Sequence, residues 1–257
     1  MAAASSSHKV GTHDTHTHHQ GGTPPSESRV FPSAYYHTDL TAMADERIEV
    51  KGFDGYMHVR CHASSPRACY CGRYSYHTDS MIVAIDGACP SNGTDKAVMS
   101  ACGVYLGPGA KNWSWRVSDK PGERHTSSRA EIHAAIGALK AIMPFAAEGG
   151  QVVCEHSGPP CRARHIVIKS DSSYLVNSIT QHVEKWRLNG WKTAKKTPVK
   201  NRDLWEELLG SLALVETTFD TRVDFWHVPR EENVEADRLA NEGLLSGRVL
   251  DHDKLEL

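Results

Sequence analysis

From Met81 onward, apolar and polar positions fall into short repeated patterns. "MIVAIDGA" is an apolar run ending in Asp-Gly, "VMSACGVYLG" is a second, and "WSWRVS" alternates. Together they predict three antiparallel strands joined by glycine-containing turns. "SSRAEIHAAIGALKAIM" places Ile132, Ile136, Leu139 and Met143 at helical spacing, which predicts a helix stopping at Pro144. After a Gly-rich insertion from Glu148 to Pro160, "HIVIKSD" reads as a fourth strand, and Tyr174, Ile179, Val183 and Trp186 mark a second helix. "DLWEELLGSLALV" follows as a third helix, "RVDFWHV" as a fifth strand and "EENVEADRLANEGLL" as a last helix. The order is β-β-β-α-β-α-α-β-α, with strands four and five each reached through a helical crossover. That order predicts an α/β fold built on a mixed five-stranded sheet with helices on both faces.

Outside this region the pattern fades. Residues 1–28 hold almost no large hydrophobes, so they cannot offset the entropy of ordering, and we expect a disordered tail whose histidines (His8, His13, His16, His18, His19) are solvated. Residues 29–80 mix aromatics with Gly, Pro and charge and sustain neither period, so they are an N-terminal extension of unassigned structure. Cys61, His62, Cys69 and Cys71 lie there, but their spacing fits no standard zinc knuckle, and Ser, Pro and Arg around them indicate loop. The patterned domain is expected over 81–247, followed by a tail at 248–257.

Composition narrows the class. A net charge of −2 points by itself to no nucleic-acid partner, so any basic surface is local. Seven cysteines is an odd number in a chain whose start has no apolar signal core, which favours reduced thiols inside the cell, in nucleus or cytoplasm. No stretch approaches the ~20 apolar residues of a membrane span.

Four carboxylates stand at predicted element ends, each with an ordinary structural reading. Asp86 sits in an Asp-Gly turn pair. Glu131 completes the capping box Ser128-Arg129-Ala130-Glu131. Asp171 stands where it could N-cap the second helix, and Asp237 lies four residues after a plausible Asn233 cap, where the helix dipole favours an acid. Together they suggest more. In such a sheet the carboxyl ends of strands one and four are parallel neighbours, and the helix starts open on the same side. Clustered acids repel unless a cation neutralises them, and an all-oxygen set selects hard ions such as Mg²⁺ or Mn²⁺. Two such ions ~4 Å apart can clamp a phosphodiester.

"IDGACPSNG", "SSRAEIHAA", "IKSDSSYLVNSI", "NGWKTAKKTPVKNRDLWEEL" and "WHVPREENVEADRLANEG", in that order, resemble the type 1 ribonuclease H family over roughly residues 81–245. The resemblance implies the mixed sheet above, hydrolysis of the RNA strand of an RNA–DNA hybrid, and two metal ions, Mg²⁺ or Mn²⁺, held by Asp86, Glu131, Asp171 and Asp237. It also implies contacts with the hybrid. RNA 2′-hydroxyls would meet Cys89, Ser91 and Asn92 on one side and Ser127 and Ser128 on the other, where relatives usually carry larger amides. A DNA phosphate pocket would use Arg124, Thr126 and Asn201, and the second helix would offer Tyr174 and Trp186, with His182 in place of a usual tryptophan. "KWRLNGWKTAKKTPVKNR" interleaves Trp186 and Trp191 with Lys192, Lys195, Lys196 and other cations, which suits a phosphate backbone. A monomer with no membrane partner is expected.

One family feature is missing. Catalytic relatives carry a glycine-histidine loop between the fifth strand and the last helix; here Val228-Pro229 runs directly through "REEN" into the helix. His227 aligns with the strand before that loop, where a packed, hydrogen-bonded histidine is expected. Metal-activated water needs no histidine, so hydrolysis remains the expectation, with slower turnover. The rival reading is a ribonuclease H-like domain that binds hybrids or a protein without cutting.

Overall fold

The computed structural model describes residues 29–31, 48–61, 76–118, 122–147, 162–246 and 249–250. The expected N-terminal tail, its histidines, and His62, Cys69 and Cys71 lie outside them.

Among the described residues the strands are β1 (Glu49–Lys51), β2 (Met57–Val59), β3 (Ser80–Ala88), β4 (Ala101–Tyr105), β5 (Trp113–Val117), β6 (His165–Ser170), β7 (Arg222–His227) and β8 (Val249–Leu250). The helices are α1 (Ser127–Ala146), α2 (Ser173–Asn177), α3 (Val183–Leu188), α4 (Arg202–Phe219) and α5 (Val234–Leu245). A π-helical turn, Ser178–His182, links α2 to α3, so the single expected second helix carries a bulge in its middle.

The main sheet has the order β7-β6-β3-β4-β5-β8. β3 pairs antiparallel with β4 and parallel with β6, and β6 pairs parallel with β7. This is the expected mixed sheet of five strands with one addition. Val249 and Leu250, placed by the sequence in a tail, pair with Arg116 and Val117 instead. Two residues are too short a strand for an alternation to announce.

Alternation along β3 sorts the two faces. Met81, Val83 and Ile85 join the larger core with α1 and α4, while Ile82 turns to a second cluster. Helix α5 packs over β3, β4 and β5 on the face opposite α1, so helices cover both faces. Helix α1 does not stop at Pro144; it runs to Ala146, closed by Ala147 N–H donating to Met143 O at 3.1 Å. A proline in the last turn removes only one ladder donor, which a long, buried, Ala-rich helix tolerates.

The second cluster explains part of the extension. Phe31, Ile48 and Val59 pack on Ile82, Val167, Trp226 and Val228. Arg29–Phe31 runs along β7, with Phe225 N–H donating to Arg29 O at 2.7 Å and Phe31 N–H to Phe225 O at 2.9 Å. The β1-β2 hairpin docks on the β4-β5 turn through Met57 N–H to Leu106 O at 2.9 Å. Inside it, buried His58 lies against Asp54 at 3.1 Å and the Ser80 carbonyl at 2.6 Å. Glu49 pairs with Lys169, which is buried beside the Trp226 ring. Glu49→Gln leaves that ammonium without its counter-charge, and we expect a loss of about 2 kcal/mol in urea denaturation. The double variant Glu49→Leu/Lys169→Met should recover most of it.

Candidate metal centre

Asp86, Glu131 and Asp171 meet at one end of the sheet, each offering a carboxylate oxygen within 4.8 Å of the others. Asp86 comes from the last turn of pleat in β3, Glu131 from the start of α1, and Asp171 from the residue after β6. The parallel register of β3 and β6 places the first and third acids side by side.

The ordinary structural readings fail for three of the four acids. Strand β3 continues through Gly87 to Ala88, so Asp86-Gly87 is no turn. A Cβ on Gly87 would lie 2.3 Å from the Glu131 backbone nitrogen, so glycine is there to let α1 approach the strand. The cap of α1 is Thr126, whose hydroxyl accepts from Arg129 N–H at 3.2 Å, which leaves Glu131 out of any capping box. Ser172, not Asp171, caps α2, accepting from Leu175 N–H at 3.3 Å. Asn233 does stand at the start of α5 but makes no side-chain cap; its Nδ2 donates to Ile85 O at 2.9 Å and to Asp171 Oδ1 at 3.1 Å.

Burial makes the cluster costly. Asp86 is 7% exposed and Glu131 8%. Burial, and then the Asp171 charge, push the Asp86 carboxyl up to about 6. Burial and then Asp86 hold Glu131 well above the usual carboxylate range, opposed by a hydrogen bond from Ser170. Glu131 Oε2 is buried with no hydrogen-bond partner. Three converging carboxylates, one with an orphaned oxygen, fit a hard divalent cation such as Mg²⁺ or Mn²⁺ by donor chemistry.

Asp237 lies outside that group of three. It sits in the first turn of α5, where Arg230 Nη2 donates to its Oδ1 at 2.6 Å and Asn241 Nδ2 to its Oδ2 at 3.1 Å. Its charge still raises Asp86, so it faces the same site. Sequence reading assigned Ser170 no role and Asn233 only that of a helix cap. One is a small polar residue at a strand end and the other resembles a cap, and only the fold aims them at Glu131 and Asp171.

The residues expected to touch a hybrid fall into separate groups, each with its own contacts. Cys89, Ser91 and Asn92 follow β3, and Asn92 Oδ1 accepts from Ser127 N–H at 3.1 Å, which joins that loop to Ser127 and Ser128. Ser91 has a left-handed φ of 58°. Arg124 lines a small cavity with Ser100, His125, Arg129 and His133, next to Thr126. Arg129 reaches Asp203 at 2.8 Å, tying the start of α1 to the start of α4, where Asn201 adopts φ 57°. Tyr174 and Trp186 are half-buried on Trp205, with centroids at 5.7 and 6.0 Å, and His182 lies 5.7 Å from Trp186.

Lys192, Lys195 and Lys196 are exposed on the segment between α3 and α4. Trp191 corrects the sequence reading: at 7% exposure it is a core anchor beneath that segment, with Arg202 over its ring at 5.6 Å. A second correction concerns His227, which ends β7 opposite Ser170 but is exposed rather than packed. Among the described residues, no helix is long and apolar enough to cross a membrane.

Comparison with known proteins bears on the same region. The family model for RNase H matches residues 78–245. Ribonuclease H1 of Mus musculus is 37% identical over 175 residues, covering 66% of this chain and 52% of the relative. Ribonuclease H of Rhodopseudomonas palustris (strain BisB5) is 33% identical over 178 residues, covering 66% of this chain and 95% of the relative. The solved structure of LC11-RNase H1 in complex with RNA/DNA hybrid overlaps 65% of this chain and 99% of its own, at 21% identity and a TM-score of 0.43. The chain spans about half the length of the mammalian relatives it matches. With the mixed sheet and its converging acids in place, the match over residues 78–245 means that this chain belongs to the RNase H family.

Proposed function

We propose that the chain is a divalent-metal-dependent endoribonuclease that hydrolyses the RNA strand of RNA–DNA hybrids. The observation that carries this reading is the group Asp86, Glu131 and Asp171, with buried Glu131 Oε2 left without a partner. A metal-free role gives no reason to keep these charges buried together. Asp86, Glu131, Asp171 and Asp237 would hold two Mg²⁺ ions, with Mn²⁺ equally compatible by ligand type. Bound there, the ions supply an activated water and a counter-charge for the leaving oxygen.

The protein's own groups do the positioning. Ser170 and Asn233 fix the Glu131 and Asp171 carboxylates. The Asn92–Ser127 contact joins the two loops that would read 2′-hydroxyls in the minor groove, where RNA differs from DNA. Arg124, Thr126 and Asn201 would hold a DNA phosphate. Tyr174, Trp186 and the exposed lysines would line its path, supplying the salt-dependent part of affinity.

The test is cleavage of an end-labelled hybrid by the full chain with Mg²⁺ or Mn²⁺, beside matched duplex DNA, duplex RNA and a chelator control. Cleavage of the RNA strand of the hybrid alone supports the reading. Hybrid binding without turnover under either ion would replace it with the non-catalytic binding domain, and cleavage of duplex DNA or RNA with a different nuclease.

A further inference from the structure

The passage from β7 to α5 is a single 3-10 turn, Arg230–Glu232, closed by Glu232 N–H to Pro229 O and Asn233 N–H to Arg230 O, both 3.0 Å. Buried Asn233 pins its far end to Ile85 and Asp171. The turn therefore fixes where the Arg230 backbone stands relative to the acids, while the side chain lies outside the turn's own hydrogen bonds. That side chain is 76% exposed, against 31% for Asp237, its partner at 2.6 Å. With Asn241 on the other oxygen, both Asp237 oxygens are engaged, and Asp237 stands apart from the three acids that converge. The reach of the guanidinium extends further: its charge opposes the upward push on both the Asp86 and Glu131 carboxyls. Arg230 thus stands at the mouth of the site as a cation on a long tether.

We propose that Arg230 is an exchangeable cation: it neutralises Asp237 in the metal-free protein, yields that carboxylate to a divalent ion, and then binds the non-bridging oxygens of the phosphate being cut. An exposed ion pair is weak, so a divalent ion displaces it readily. Once displaced, a planar guanidinium is well matched to phosphate oxygens and sits where negative charge builds up during displacement. The phosphate half of this inference rests on the nuclease reading; the exchange half rests on the ion pair and on the proposed metal role of Asp237.

Arg230→Ala, Arg230→Lys, Asp237→Asn and the Arg230→Ala/Asp237→Asn pair separate the two halves. Isothermal titration with Mn²⁺ on the substrate-free full chain is expected to show about two- to fivefold tighter binding for Arg230→Ala, since the competitor is gone. Within the Asp237→Asn background that gain should vanish. With saturating hybrid, Arg230→Ala should turn over about 10- to 100-fold more slowly, and Arg230→Lys should recover part of the rate. Unchanged Mn²⁺ affinity in Arg230→Ala overturns the exchange, and a wild-type kcat overturns the phosphate contact. A wild-type chain that binds Mn²⁺ but cuts nothing refutes the nuclease reading and the phosphate contact together, while the titration still decides the exchange.

Discussion

Asp86→Asn is expected to abolish hybrid hydrolysis while making the metal-free protein more stable at neutral pH. Both effects come from one carboxylate, 7% exposed and pushed up to about 6 by burial first and Asp171 second. An unfolded aspartate titrates near 3.9. Because the folded value is the higher one, the stability this group contributes is fully present below about pH 4 and lost as pH rises through about 6. At pH 7 the folded protein therefore carries a strained negative charge, which a neutral amide of the same shape relieves. The gain is at most about 3 kcal/mol, or roughly 6–12 °C in thermal midpoint for a domain of this size. It should shrink as the melts are repeated from pH 7 down to pH 5.

Magnesium reverses the ranking. An ion bound only to the folded state stabilises wild type in proportion to its saturation, and the variant, lacking a ligand, should gain little. Turnover should fall by about 10³-fold or more, since both metal placement and charge stabilisation are lost. Asp171→Asn should match that loss with a smaller gain in stability, because Asp171 is only half-buried and already accepts from Asn233, and its removal relieves Asp86 only in part. A metal-free Asp86→Asn protein no more stable than wild type at pH 7 would show that the buried charge is not strained.

Asp86, Glu131 and Asp171 were legible as neighbours because each lies near the end of an element whose periodicity is strong, and strand order brings those ends together; Asp237, expected with them, stands apart. What the same residues do locally was not legible. An Asp-Gly pair reads as a turn unless one knows that a helix lies against the glycine, and Ser128-x-x-Glu131 has the spacing of a capping box although Thr126 holds the cap. Asn233 has a cap's position but spends its amide on a strand carbonyl and the Asp171 carboxylate. The hairpin at 49–59 stayed hidden for another reason. Its strands are three residues long, and its interior includes the polar pair His58 and Asp54, so hydrophobic alternation has nothing to register. Trp191 failed through composition: a tryptophan among lysines looks like a base platform, and only packing reveals it as the anchor.

Gly87→Val is expected to damage both the fold and the site. A Cβ there would fall 2.3 Å from Glu131 N, 2.5 Å from the Ala130 carbonyl carbon and 2.8 Å from Ala130 Cβ. The first two are backbone atoms near the start of a twenty-residue helix, so no side chain can rotate out of the way. Relief requires α1 to withdraw from β3 as a body, which opens the core around Cys102, whose thiol donates to Ala130 O at 3.3 Å. Overpacking of this kind costs about 3 kcal/mol or more, seen as a fall of roughly 6–12 °C in the thermal midpoint. The same withdrawal carries Glu131 away from Asp86, and a displacement near 1 Å at a reacting centre can cost about 10²-fold in rate. Gly210→Ala is the contrast. Gly210 lies inside α4 with nothing within 4 Å of its would-be Cβ, so alanine should stabilise by about 0.5–1 kcal/mol and leave turnover unchanged. If Gly87→Val melted and turned over like wild type, the close approach of α1 to β3 could not be what holds Glu131 against Asp86.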